Sequence, residues 1–165
     1  MLTLDNYHSA IALGETFVGD PPVRRENYPA LITELLELFC AESGRRVPKP
    51  SSTAERRRVL KALLTVCPPH PLETAEWSRL DRLFQFERLD RGHVNPAELP
   101  TLAARMDGCR YPFADRTVLW QGDISVLATD AIANAANDSL LGCFQPFHAC
   151  IDNVIHSCAG PPTTK

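Results

Sequence analysis

Cys143, His148 and Cys150 stand close together in the chain, in the pattern C-x4-H-x-C. Two soft thiolates and an imidazole at this spacing suit one tetrahedral zinc ion. They supply three protein ligands rather than four. Structural zinc sites usually close with four, whereas catalytic sites keep a position open for water or substrate. The loop therefore points to chemistry as well as to stability. Two thiolates would neutralise a divalent zinc, weakening it as a Lewis acid while leaving it able to orient a water. The competing reading is two buried thiols and an unrelated, hydrogen-bonded histidine.

The neighbouring polar residues each have two readings. Asp123 follows Gly122 and a β-favouring run, so its carboxylate either sits at a strand end and accepts hydrogen bonds or caps the turn that follows. Asn137 closes a second short apolar run. Its amide suits sugar hydroxyls, and as a loop residue it also tolerates a left-handed backbone. Asn134 is expected to brace the loop through side-chain to backbone bonds. Asp152 lies one turn before His156 on the same helical face, near a helix start where a carboxylate complements the dipole. His156 is expected to bond a backbone carbonyl. Asn153 is left open between contact with a sugar and contact with the neighbouring loop.

These residues need elements to hold them. Residues 1 to about 110 read as helical. Leu31, Ile32, Leu35, Leu38 and Phe39 recur at helical spacing, with Gly44 as the stop. Ser52 and Glu55 form a capping box, ahead of a helix burying Val59, Leu60, Leu63 and Leu64 and ended by Pro68 and Pro69. A third helix runs from about Thr74 to Asp90, with Trp77, Leu80, Leu83 and Phe84 inward and Gly92 at its end. The run Arg56, Arg57, Arg58 reads as the solvated face of the second helix. Residues 100–112 form a junction. Beyond it, residues 117–120 and 131–134 read as strands, and Ile151, Val154, Ile155 and Cys158 mark a short helix ending at Gly160.

At 165 residues the chain is one large or two small domains. A net charge of -3 argues against a general nucleic-acid binder. The absence of any apolar run of roughly 18 residues argues against a membrane span. Residues 1–14 lack the basic and apolar regions of a secretory signal. The expected setting is the cytoplasm, so the six cysteines should be reduced thiols.

Four motifs occur in order: W-Q-G-D-I at 120–124, D-A-I-A-N-A-A-N at 130–137, the cysteine loop at 141–150, and I-D-N-V-I-H-S-C-A-G at 151–160. Together they resemble the opening of a macrodomain, and the cysteine loop is similar to that of the zinc-containing macrodomain subfamily, whose enzymes remove ADP-ribose from proteins. The resemblance implies an α/β fold: a helical N-terminal extension (1–110), then the first strands and helix of an α/β/α sandwich (111–165). It implies zinc held by Cys143, His148 and Cys150. It also implies adenine recognition by Asp123 and the Ile124 backbone, distal-ribose contact by Asn137 where the scissile bond lies, and a water oriented or deprotonated by Asp152, so that Asn137 and Asp152 are the expected catalytic pair. The pyrophosphate would sit at the helix start after Cys150. ADP-ribose or an ADP-ribosylated protein would be the partner, with no nucleic acid or membrane. The resemblance stops at Gly160, before the later glycine-rich loop of such a domain. The expectation is a truncated macrodomain with weak or absent turnover. The alternatives are a non-catalytic ADP-ribose-binding module and a zinc-stapled structural remnant.

Overall fold

The segment Tyr28–Glu42 forms helix α1, with Pro29 in its first turn, where the missing N–H costs nothing. Its buried residues, Leu31, Ile32, Leu35, Leu36, Phe39 and Cys40, repeat at helical spacing and make one apolar stripe. Helix α2 is Thr53–Val66, and its Ser52 cap accepts a hydrogen bond from the Glu55 N–H at 3.2 Å. It stops where Cys67 turns extended ahead of Pro68. Helix α3, Thr74–Arg91, starts on a reciprocal capping box of Glu73 and Glu76, and Gly92 ends it at φ 74°. That box escaped the sequence reading because glutamate is an unusual cap. These coordinates are a computed structural model that describes residues 18–44, 52–68 and 72–160. The sequence readings made for residues 1–14, for Pro69 and for residues 161–165 fall outside those residues.

The three helices share one core, in which Leu35, Leu60, Leu80 and Leu83 are fully buried and Val59, Trp77 and Leu38 pack at its margin. The arginine run corrects an expectation. Arg57 is not on a solvated face. Its Nε and Nη2 donate to the two Glu87 oxygens of α3 at 2.5 and 2.9 Å, while Tyr28 of α1 donates to the same carboxylate at 2.8 Å. Arg58 lies over the Phe147 ring, 4.7 Å from its centroid. A run of three arginines does not reveal which guanidinium finds a carboxylate on a neighbouring helix.

The junction at 100–112 is built rather than loose. Thr101 caps the short helix α4, Leu102–Arg105. The Leu102 and Ala103 N–H groups donate to Thr117 O and Ala114 O, which satisfies donors that a helix start leaves open. Val94 and Leu127 pair in an isolated parallel bridge, so the chain after α3 is stitched to the chain around 127. Among the described residues the segments 117–120 and 131–134 have no ladder partner. The last element, α5 (Ile151–Ala159), packs on α2 and on the 3-10 turn Ile124–Val126. It ends at buried Gly160, φ 104°, where a Cβ would come within 3.2 Å of Phe84 and 3.4 Å of Trp77. Glycine is required there by both backbone and space. Among the described residues no helix is long and apolar enough to cross a membrane. None of the six cysteines is in a disulfide.

Candidate functional site

Cys143, His148 and Cys150 converge. Their ligand atoms all lie within 4.8 Å of one another, and Cys143 Sγ is 3.2 Å from His148 Nδ1. A tetrahedral zinc with bonds of about 2.3 Å to sulfur and about 2.0 Å to nitrogen holds neighbouring ligand atoms roughly 3.5–3.8 Å apart. The donor set and its spacing therefore fit the ion, with small adjustments of the exposed His148 and the half-buried cysteines. Partial burial pushes the Cys143 thiol up from its ordinary value, and the Cys150 thiol and Asp152 carboxylate add to this against a Gln145 backbone hydrogen bond. A bound dication would reverse that preference, because it stabilises the thiolate.

The loop that carries these ligands is conformationally costly. Leu140, Phe144 and Phe147 all have positive φ, at 57°, 53° and 64°, a region that costs a non-glycine residue about 1–2 kcal/mol. Surrounding bonds hold it there. Asn137 Nδ2 donates to Gly142 O at 2.8 Å, and Asn137 Oδ1 accepts from the Ser139 N–H and hydroxyl at 3.2 and 2.6 Å. The Asn137 amide thus braces the loop, without the left-handed backbone the sequence allowed. Gly142, buried at φ 97°, leaves room for the His156 ring, which a Cβ would approach at 3.4 Å.

Asp152 sits in the first turn of α5 and is 4% exposed. Its Oδ1 accepts from Asn134 Nδ2 at 2.8 Å and lies 3.3 Å from His156 Nε2. Two expectations are corrected here. Asn134 bonds a side chain rather than the backbone, and His156 meets a carboxylate rather than a backbone carbonyl. Both follow from α5, which stacks residues 152 and 156 on one face toward the loop.

Asn153, which the sequence left open between a sugar and the neighbouring loop, bonds the loop. It is 3% exposed, and its Nδ2 donates to His148 O at 2.9 Å and Gln145 O at 3.3 Å. Its backbone N–H donates to Cys150 Sγ at 3.4 Å, so the cysteine is also the helix N-cap. The available signal was an amide three positions past a candidate ligand at a helix start.

Asp123 and Ile124 stand apart from this cluster. Asp123 Oδ1 accepts from the Ser125 hydroxyl at 2.7 Å and from its N–H at 2.9 Å, capping the 3-10 turn. The Ser125 hydroxyl, then its backbone N–H, holds the Asp123 carboxyl below its ordinary value. Arg91 of α3 approaches Asp123 Oδ2 at 3.9 Å and donates to Ser125 Oγ at 2.9 Å and Cys158 Sγ at 3.2 Å. Asp123 is therefore beside the C-terminal end of α5, and the Cys143, His148 and Cys150 cluster is at its N-terminal end. Cys150 and Cys158 are eight helical steps apart, a distance of roughly 12 Å at 1.5 Å per residue.

No protein-family model matches this chain. It is 38% identical over 112 residues to a protein-ADP-ribose hydrolase of Treponema medium, covering 67% of this chain and 40% of that protein. A protein-ADP-ribose hydrolase of Staphylococcus aureus strain Mu50 is 35% identical over 111 residues, again 67% of this chain and 38% of that protein. A probable bifunctional ADP-ribose hydrolase/ADP-ribosyltransferase of Fusarium oxysporum f. sp. cubense is 61% identical over 49 residues, 29% of this chain and 8% of that protein. Two thirds of the chain is thus similar to curated proteins named for ADP-ribose hydrolysis, and the chain spans about two fifths of their length.

Proposed function

We propose that this chain belongs with the protein-ADP-ribose hydrolases and acts in removing ADP-ribose from modified proteins. The observation that carries this reading is the similarity over two thirds of the chain to proteins of that name. The finer parts of the proposal are a macrodomain-type α/β layer from residue 111 onward, a helical extension before it, and zinc held by Cys143, His148 and Cys150. The ligand cluster supports the last of these.

In this reading α5 is the ruler of the site. The adenine amino group bonds Asp123 Oδ2, the oxygen not engaged by Ser125, with the Ile124 backbone alongside. The pyrophosphate lies toward the positive end of α5, and the distal ribose reaches the loop shaped by Asn137. Zinc, when bound, supplies orientation and modest polarisation of a water or sugar hydroxyl. Asp152, its Oδ1 fixed by Asn134 and His156, presents Oδ2 to take a proton from the attacking water. Water oxygen adds at the anomeric carbon, the bond to the protein side chain breaks, and the departing side chain takes up a proton.

Two observations favour a second reading. Asp152 is nearly fully buried, and the Asn137 amide is committed to the loop, which suits a module that holds ADP-ribose without cleaving it. Incubating an ADP-ribosylated protein with this chain, with and without a chelator, separates the two. Release of ADP-ribose that the chelator abolishes is the expected result. Calorimetric binding of ADP-ribose without release selects the binding module, and zinc content without ligand affinity leaves only a staple.

A further inference from the structure

The contacts around Asn153 assign a job to the helical layer. The Asn153 amide donates to two carbonyls of the metal loop, so its Oδ1 must face away from the loop. There it meets α2: Thr65 Oγ1 lies 3.4 Å from Asn153 Oδ1 and 2.8 Å from Lys61 O, and its one hydroxyl proton can turn to either oxygen. A second strut from the same helix reaches the same loop, since Arg58 stacks on Phe147, the residue before His148 and one of the strained positive-φ positions. The space enclosed by Leu64, Thr65, Gly142, Cys143, Asn153 and His156 amounts to only about 10 Å³, no more than one water needs. The loop is therefore pressed onto α2 rather than free beside it.

We propose that Asn153 is the positioning residue of the metal loop, and that Thr65 and Arg58 of α2 hold it in place, so that the helical extension sets the geometry of the ligand cluster. This inference rests on the zinc reading above. Each strut acts on a different feature. Asn153 fixes the carbonyls of Gln145 and His148 and gives an N–H to Cys150 Sγ. Thr65 fixes which way the Asn153 amide points, and Arg58 stabilises the backbone turn that presents His148. Orienting contacts of this kind typically account for about 10–100-fold in metal affinity.

The test measures zinc affinity of the full chain by competition with a chromophoric chelator, and the absorption bands of the cobalt-substituted protein, with circular dichroism as the fold control. Asn153→Ala is expected to weaken zinc by at least about 10-fold and to shift the cobalt bands. Thr65→Val combined with Arg58→Ala should weaken zinc by several-fold and shift the same bands, although neither residue touches the metal. If Asn153→Ala fails to fold, Asn153→Asp, which keeps the shape but removes both donors, carries the same expectation. Wild-type affinity and unchanged cobalt bands in Asn153→Ala or Asn153→Asp would overturn the positioning role. An unaffected Thr65/Arg58 double variant would overturn the part assigned to the helical layer. If the unmodified chain binds no zinc at all, the metal reading itself falls, an outcome distinct from either of those.

Discussion

Glu87→Ala should strongly destabilise the helical layer. Glu87 accepts two bonds from Arg57 and one from Tyr28, so α1, α2 and α3 meet on one carboxylate. The Arg57 and Glu87 side chains are only 17% and 19% exposed. Burial alone would lower the Arg57 pKa, yet it is raised, because the Glu87 carboxylate outweighs that burial. Removing one partner of a buried pair costs about 3–5 kcal/mol, since the other is left charged and unpaired. Water reaches about a fifth of each side chain, so we take roughly 3 kcal/mol. For a chain of this size that is about 6–12 °C in Tm. The assay is urea unfolding followed at 222 nm, run as a double-mutant cycle with Arg57→Met. Replacing both members by apolar residues, as Arg57→Met with Glu87→Leu, should return stability to within about 1–2 kcal/mol of the parent. A loss below about 0.5 kcal/mol for Glu87→Ala, or the same loss in the Arg57→Met background, would refute the reasoning. Either result would mean the pair is solvated rather than buried.

The other expectations concern single groups. Burial, then the hydrogen bond to Glu87, raises the Tyr28 phenol pKa; the folded state holds that proton more tightly, so the contribution is complete below pH about 10 and is lost as pH rises toward the folded value. Alkaline unfolding curves of Tyr28→Phe should lack that slope. Gly142→Ala should cost about 1–2 kcal/mol, because φ 97° is strained for alanine and the new methyl meets the His156 ring; an unchanged urea midpoint would contradict this. Ser125→Ala should let the Asp123 carboxyl return toward its ordinary value, as read by NMR titration, since the Ser125 hydroxyl is the larger cause of its lowering. Burial pushes the Cys67 thiol up to about 11, so at pH 8 it should react with maleimide far more slowly than a model thiol. Rapid labelling of the folded chain would show that the α2 end opens.

The three long helices were legible because an apolar stripe at helical spacing can be buried in few ways. Leu31, Ile32 and Leu35, then Leu60, Leu63 and Leu64, then Leu80, Leu83 and Phe84 all face the core. Caps at Ser52 and Gly92 were legible for a related reason: a helix end leaves local groups unsatisfied, and local residues answer them. The Cys143, His148 and Cys150 grouping was also local, since so short a loop brings its ends together cheaply. The partners of long-range groups were not legible. Nothing near Arg57 in the chain announces Glu87, and nothing near Asn153 announces Thr65.

The sequence by itself thus determined where α1, α2, α3 and α5 lie, which side chains can ligate a soft metal, and the order of the motifs along the chain. Only the tertiary structure decided that α2 lies against the cysteine loop, that Asp152 is buried between Asn134 and His156, and that Asp123 and the ligand cluster occupy opposite ends of α5. The physical reason is range. Backbone sterics, periodicity and caps act over a few residues. Burial and hydrogen-bond pairing between distant residues depend on how helices pack.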